Sequence, residues 1–354
     1  MPSTPAGRSL QTLDLPAGPA GVAMLFTALS RRLLDDGPPV AVVSASGSPA
    51  VAETQRRAVT PAPETRLPED LAVICPTSGS TGAPRGVLLT EANLRAAAKM
   101  SDAALDGPAA WFIALNPAAA GALAAITRCV LGDTALAAWS ALGAGTPFDP
   151  VSLLDELAEF VGATETADLP VRTSLVSTQL ARLLALEGAA EVLSRFDRIL
   201  LGGGAIHPSL LARYRASGLP VVRTYGMTET TGGCVYDGRP LGGTRLEIVD
   251  EEIVVSGPTV AAGYCGSASG GAAHFDGRRL YTGDRGEIVD GQLVVRGRLD
   301  DVVAVRGANV DRGAVERLLA SAPGVLEAAV AAVPDEIHGA RLIAYVVGQA
   351  DPAV

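Results

Sequence analysis

Eleven residues, Pro76-Thr77-Ser78-Gly79-Ser80-Thr81-Gly82-Ala83-Pro84-Arg85-Gly86, separate the apolar runs Leu71-Ala72-Val73-Ile74-Cys75 and Val87-Leu88-Leu89. Short apolar runs bounded by turn residues read as buried strands, so this loop leaves the end of one strand and returns at once to another. Three glycines and four hydroxyl residues bring backbone N–H groups and side-chain donors close to whatever lies against the loop, and Arg85 adds a permanent planar cation. That set of donors suits a nucleotide triphosphate. The phosphate loop that carries Gly-Lys-Ser/Thr and opens a helix does not fit, because Arg85 is followed by Gly86 and a strand. A Ser/Thr/Gly-rich stretch is also the composition of a surface linker, so the remaining chain decides between the two.

At 354 residues the chain exceeds one ordinary core and implies one large domain plus a smaller piece. Apolar residues make up 48% but aromatics only 4%, so the core must be filled by Ala, Val and Leu. No apolar run reaches the roughly 20 uncharged residues of a membrane span. A net charge of −10 argues against a nucleic-acid or membrane-surface partner. The Pro- and Gly-rich start, Met1 to Pro19, lacks the basic-then-apolar order of a signal peptide, which predicts a cytoplasmic protein. Cys75, Cys129, Cys234 and Cys265 have no paired spacing and read as buried thiols; His207, His274 and His338 are equally scattered, so a metal, if used, arrives with the nucleotide.

Taken in order, residues 1–17 read as a loose tail and 18–35 as a helix with Val22, Phe26, Leu29 and Leu33 on one face. Residues 39–44 read as a strand and 46–69 as a polar connection. Thr90 caps a helix to about Leu105, Trp111 to Leu115 is a strand, and an apolar helix runs from Ala118 to Leu131. Asp149-Pro150 starts a helix ending at Gly162, another begins near Ser177, and Phe196 to Leu201 is a strand before Gly202-Gly203-Gly204-Ala205; His207-Pro208 opens the next helix. Strand, helix, strand predicts a mostly parallel sheet with helices on its faces. From residue 239 the pattern turns to β-hairpins, and 311–320, 326–333 and 342–347 read as helix, strand, strand.

Two further stretches carry polar groups to strand ends. Val221 to Thr230 reads as a strand stopping at a Tyr225-Gly226 corner, where Tyr225 can stack on a base, Thr228 can donate to a phosphate, and Glu229 can hold a magnesium ion. Asp284, read as following a Thr282-Gly283 turn, can accept from both hydroxyls of a ribose; a turn-stabilising aspartate is the alternative. Open α/β sheets bind ligands at such carboxyl ends.

The loop at 76–86, the triple glycine, Tyr225 to Thr230, Tyr281 to Asp284, and Gly297-Arg298-Leu299-Asp300-Asp301 with Arg306-Gly307-Ala308 occur in that order. Together they resemble the adenylate-forming enzymes, the acyl-CoA synthetase superfamily, with Arg85 where that family usually has lysine. The resemblance covers roughly residues 70–350. It implies an α/β fold: a large N-terminal domain, residues 1–298, of mostly parallel helix-flanked sheets plus a small β-rich subdomain, and a small truncated α+β C-terminal domain, 299–354, that is mobile. It implies ATP, Mg2+ and CoA as cofactors. Thr77, Ser78, Gly79, Ser80, Thr81 and Gly82 would hold phosphates; Gly203, Gly204, Tyr225 and Gly226 would line the adenine and acyl pockets; Asp284 and Arg298 would hold the ribose. Arg85, Thr228 and Glu229 would be catalytic, Glu229 on the metal and Asp300 the pivot.

The stretch Arg223 to Pro240 resembles the short o-succinylbenzoate-CoA ligases of actinobacteria, enzymes of menaquinone biosynthesis. That implies o-succinylbenzoate as the carboxylic acid, and leaves a homodimer open. Two departures bear on the chemistry. Ala118, Ala119 and Ala120 stand where relatives have an aromatic or histidine pair, and the one lysine, Lys99, is not near the C-terminus, where relatives have a lysine on the α-phosphate. The second departure predicts slow adenylation by this chain. An adenylating enzyme that passes the acyl group to another acceptor and a non-catalytic nucleotide- or acyl-binding relative are the competing readings.

Overall fold

The computed structural model describes residues 9–45, 48–62, 65–77, 84–143, 147–164, 169–204, 206, 208–266, 273–305, 308–320, 322, 324–335 and 339–348. The strand Leu71–Pro76, buried along its whole length, is the middle of a five-stranded sheet. Val40–Ser44 pairs parallel with it on one side, and Gly86–Thr90 antiparallel on the other, so the loop between residues 76 and 86 joins neighbouring strands, as the two apolar runs require. The outer positions are Gln11–Leu15 and Tyr264–Cys265.

Two sequence expectations fail in this region. Residues 11–15 are an edge strand rather than a loose tail: Gln11, Thr12 and Asp14 carry no apolar signal, and the strand is held by backbone pairing with Val40–Ser44. The polar connection contains the helix Pro49–Val59, whose Ser48 hydroxyl accepts from Val51 N. It buries only Val59, so its sequence lacks the apolar stripe by which helices are read.

A seven-stranded sheet follows, in the order Arg239–Pro240, Gly232–Tyr236, Val221–Met227, Arg198–Gly202, Val171–Val176, Ala110–Ile113, Leu136–Ala138. Its five strands from Val221–Met227 onward are parallel, as the strand-helix alternation predicts. Val171–Val176 escapes sequence reading because Arg172 is fully buried in it; Arg172 donates to Asp197 Oδ2 at 2.8 Å, to Gly107 O at 2.7 Å and to Leu105 O. The helix Ala120–Gly132 is buried on nearly every face and carries the apolar core between the sheets.

The Tyr-Gly corner is not a corner. The strand continues through Tyr225 and Gly226 to Met227 and turns back as Gly232–Tyr236. Glycine is required at 226, since a Cβ there would lie 2.0 Å from Gly232 O. Likewise Asp284 sits inside the continuous strand Arg279–Val289, opposite Arg298, and not after a turn. Gly283 takes φ 73° within that strand, and Asp284 N donates to Thr282 Oγ1 at 3.1 Å, a local kink that the Thr-Gly pair signals as a turn. The antiparallel sheet containing it also includes Arg245–Val249, Glu252–Ser256, His274–Asp276 and Gln292–Arg298. The last part is α+β, with the hairpin Val302–Val305 and Ala308–Asp311, the helix Arg312–Ala320, and the hairpin Val325–Asp335 and Gly339–Gly348.

Asn93 joins these layers. It completes a capping box with Thr90 at the start of the helix Glu91–Ala104, and its amide donates to Pro258 O at 2.8 Å and to the buried Val260 O at 2.9 Å. Asn93→Ala is expected to lower unfolding stability by about 2–4 kcal/mol, from the lost cap and an orphaned buried carbonyl. Urea denaturation followed by circular dichroism measures this, and a shift below about 1 kcal/mol would contradict the assigned role.

Candidate functional site

The two ends of the glycine-rich loop are pinned together before any ligand is considered. Thr77 N donates to Arg85 O at 2.9 Å, and Arg85 N donates to Thr77 Oγ1 at 2.9 Å. Of the loop residues expected to hold phosphates, Ser78, Gly79, Ser80, Thr81 and Gly82 lie outside the described residues, as do Ala205, His207, Arg306 and Gly307. The structure places Arg85 itself. Its guanidinium donates to Ala273 O at 2.7 Å, lies 3.4 Å from Glu229 Oε1, and sits over the Tyr264 ring at 3.9 Å.

Glu229 and Thr228 are buried in a single 3-10 turn, Thr228–Thr230, at the end of Val221–Met227. Tyr264 Oη donates to Glu229 Oε1 at 2.8 Å. Burial first, and the Glu229 carboxylate second, push the Tyr264 phenol far above its ordinary range, which keeps it a donor. Both contacts to Glu229 fall on Oε1. Among the described residues there is no group of three or more His, Cys, Asp or Glu side chains of metal-binding geometry. Magnesium is commonly held by one or two carboxylates plus substrate phosphates, so the single carboxylate of Glu229 fits a cation that arrives with a nucleotide. The four cysteines are free and buried, as expected.

Asp284 forms the second charged centre. Tyr225 Oη donates to its Oδ2 at 2.9 Å, and Arg298 Nη1 donates to its Oδ1 at 3.2 Å. Arg298 Nε also donates to Asp300 Oδ1 at 2.9 Å, so one guanidinium joins the expected ribose carboxylate to the expected pivot. The Asp284 carboxyl is pushed up to about 6: burial outweighs the downward pull of Arg298 and Tyr225. The sequence points to Tyr225 through its ring alone; the structure adds its hydroxyl as the partner of Asp284.

A cleft of about 2350 Å³ joins the two charged centres. Thr77, Arg85, Thr228, Glu229, Asp284 and Arg298 line it, together with Gly203, Gly204, Tyr225 and Gly226. Gly203 has φ 79°, which favours glycine at the strand's end. Ala118, Ala119 and Ala120 also line the cleft.

Sequence reasoning missed Arg128. It lies in the apolar helix Ala120–Gly132, is 5% exposed, and lines the cleft. Its guanidinium sits 4.9 Å from the Trp111 ring and donates to Tyr236 Oη at 3.2 Å, while its Nε has no hydrogen-bond partner among the described residues. A lone charge in an otherwise apolar helical run was the available signal. Lys99, the chain's one lysine, is exposed on the helix Glu91–Ala104.

The profile of the AMP-binding enzyme family matches residues 20–265, and that of the AMP-binding enzyme C-terminal domain matches 314–353. A probable 2-succinylbenzoate–CoA ligase of Mycobacterium tuberculosis is 34% identical over 347 residues, covering 96% of this chain and 85% of that protein. The 2-succinylbenzoate–CoA ligase of Enterococcus faecalis is 30% identical over 305 residues, 79% of this chain and 60% of its own length. Among solved structures, the o-succinylbenzoate coenzyme A synthetase of Bacillus subtilis in complex with its acyl-adenylate intermediate has a TM-score of 0.70 at 25% identity, covering 97% of this chain and 79% of the other. The unliganded form of that synthetase gives 0.71 at 22% identity, a likeness of fold. This chain therefore belongs to the AMP-binding enzyme family.

Proposed function

We propose that this protein is an AMP-forming acid–CoA ligase acting on o-succinylbenzoate: the acid's carboxylate attacks the α-phosphorus of ATP to give an acyl-adenylate and pyrophosphate, and the thiol of CoA then displaces AMP. The observation that carries the reading is the convergence of Arg85, Glu229, Asp284 and Arg298 on one cleft. Tyr225 and Asp284 hold the nucleoside, Asp284 accepting from the ribose hydroxyls. Thr77, Thr228 and Arg85 meet the phosphates, with Ser78, Gly79, Ser80, Thr81 and Gly82 completing that cradle. Bound magnesium, on Glu229 and phosphate oxygens, would offset charge at the α-phosphorus. The likeness to the mycobacterial ligase supports o-succinylbenzoate as the acid.

The parts that we assign to the two halves are residues 1–298 and 299–354. Arg298 pairs with both Asp284 and Asp300, so the boundary is tied to the nucleoside site. Arg317 Nη2 donates to Arg296 O at 2.6 Å, and Arg285 lies 3.5 Å from Asp311, contacts that hold the helix Arg312–Ala320 against the preceding sheet. Rotation about Asp300 would release them and change which residues face the cleft.

Pyrophosphate release from ATP and o-succinylbenzoate, with and without CoA, tests the reading. The expected result is turnover that requires the acid, with acyl-CoA formed only when CoA is present. Release unaffected by CoA would favour another acceptor, and no release would favour a binding protein. For this 354-residue polypeptide we expect slow adenylation and a less affected second half-reaction from supplied acyl-adenylate, because Lys99, the one lysine, is exposed on the helix Glu91–Ala104 and supplies no cation to the α-phosphate.

Asp284 gives a pH dependence with a definite sign. Its folded pKa, about 6, lies above the ordinary carboxyl value of 3.8, so the ionised form that accepts from ribose is depleted below pH 6. Nucleotide affinity is expected to be about tenfold weaker at pH 5 than at pH 7, and Asp284→Asn should leave only the slope due to the nucleotide's own phosphates. Calorimetry across that range decides it, and parallel profiles would remove Asp284 from the ribose site.

An acid with a second carboxylate gives Arg128 a partner inside the cleft. Arg128→Met is expected to raise KM for o-succinylbenzoate about 10- to 100-fold, the loss of one charge-assisted hydrogen bond, with KM for ATP unchanged. Equal effects on both substrates would assign Arg128 to packing.

A further inference from the structure

Tyr264 touches both charged groups at the base of the phosphate loop, although no step above uses it. It lies in the two-residue strand Tyr264–Cys265, with Tyr264 opposite Val87 and Cys265 opposite Gly86, so its backbone is registered against the residues that close the loop. Its hydroxyl is 2.8 Å from Glu229 Oε1 and 3.3 Å from Ala273 O. Arg85 lies over its ring, 3.9 Å from the centroid, and Phe275 packs edge-on at 5.0 Å.

The distances rank these contacts. Arg85 lies 3.4 Å from Glu229, long for a charge-assisted hydrogen bond, whereas the phenol at 2.8 Å is within the range of a strong one. Glu229 is therefore oriented by Tyr264 more than by Arg85. Arg85 in turn has its guanidinium carbon over the ring, 3.9 Å from the centroid, while its Nη1 donates to Ala273 O and its Nη2 to Glu229 Oε1. An ammonium has no planar fork to lie over the ring and donate from two separate nitrogens, so the arginine at 85 and the tyrosine at 264 form one unit.

We propose that Tyr264 is a positioning residue of the ligase, fixing Glu229 through its hydroxyl and Arg85 through its ring so that both face the phosphates when the nucleotide arrives. The proposal rests on the nucleotide-site reading above. It assigns the hydroxyl and the ring separable effects, on the metal-dependent and the metal-independent parts of nucleotide binding.

Calorimetric titration of ATP in EDTA and in excess magnesium, with the full chain, Tyr264→Phe and Tyr264→Leu, tests it. Tyr264→Phe keeps the ring, so metal-free ATP should bind as to the unaltered chain while the gain on adding magnesium falls about tenfold. Tyr264→Leu should also lose about 5- to 10-fold in metal-free binding, as Arg85 is released. A Phe variant with an unchanged magnesium gain, or with equal losses in both buffers, overturns the proposal. Urea unfolding of the ligand-free chain as a double-mutant cycle between Tyr264→Phe and Glu229→Ala should show coupling of about tenfold in the unfolding equilibrium. Additivity in a chain that binds ATP overturns the proposal alone; an unaltered chain that binds no ATP overturns the nucleotide reading and this proposal with it.

Discussion

A carboxylate taken out of water must be compensated, and Glu229, 4% exposed, is the point at which three parts of this protein meet to do so. Arg85 comes from the loop between the central strands of the first sheet, Glu229 from the end of a strand in the second, and Tyr264 from the edge strand that returns to the first. The Glu229 carbonyl accepts from Ala261 N at 2.9 Å, and Asn93 fixes the same segment through Pro258 and Val260. The site is thus built at a seam between sheets, where no single element could supply the charges.

Asp284 is compensated differently. Its partners are one hydroxyl and one arginine, and Arg298 is shared with Asp300. Burial outweighs these partners, so the carboxyl stays easier to protonate than an ordinary aspartate. Under the ribose-binding role proposed for it, hydroxyl donors would favour the ionised form, linking nucleoside binding to ionisation of Asp284.

Scarcity of aromatics shapes the cleft. The helix Ala120–Gly132 fits between the sheets because Ala122, Ala124 and Ala125 let the backbones approach. Ala120 and Ala124 of this helix line the cleft with Gly203 and Gly204, and Arg128 is the helix's one charged residue. Its guanidinium rests on Trp111, a large fully buried side chain.

The amino-acid sequence by itself determined the elements with strong apolar periodicity, such as Leu71–Pro76 and Gly18–Leu34, and the ordered motifs, Arg85, Tyr225 and Glu229 among them, by which the chain resembles its family. Those signals are local, since they depend on side-chain period and on short runs of glycine and hydroxyl residues. Only the tertiary structure decided the edge strand Gln11–Leu15, the strand through Arg172, and the continuation of the strands past Tyr225 and Asp284, because backbone pairing and buried ion pairs leave no periodic mark in the chain. It also decided the partners: Tyr264 with Glu229, Tyr225 with Asp284 and Arg128 with Tyr236 stand 35, 59 and 108 residues apart, and contact at such separations is a property of the packed sheets.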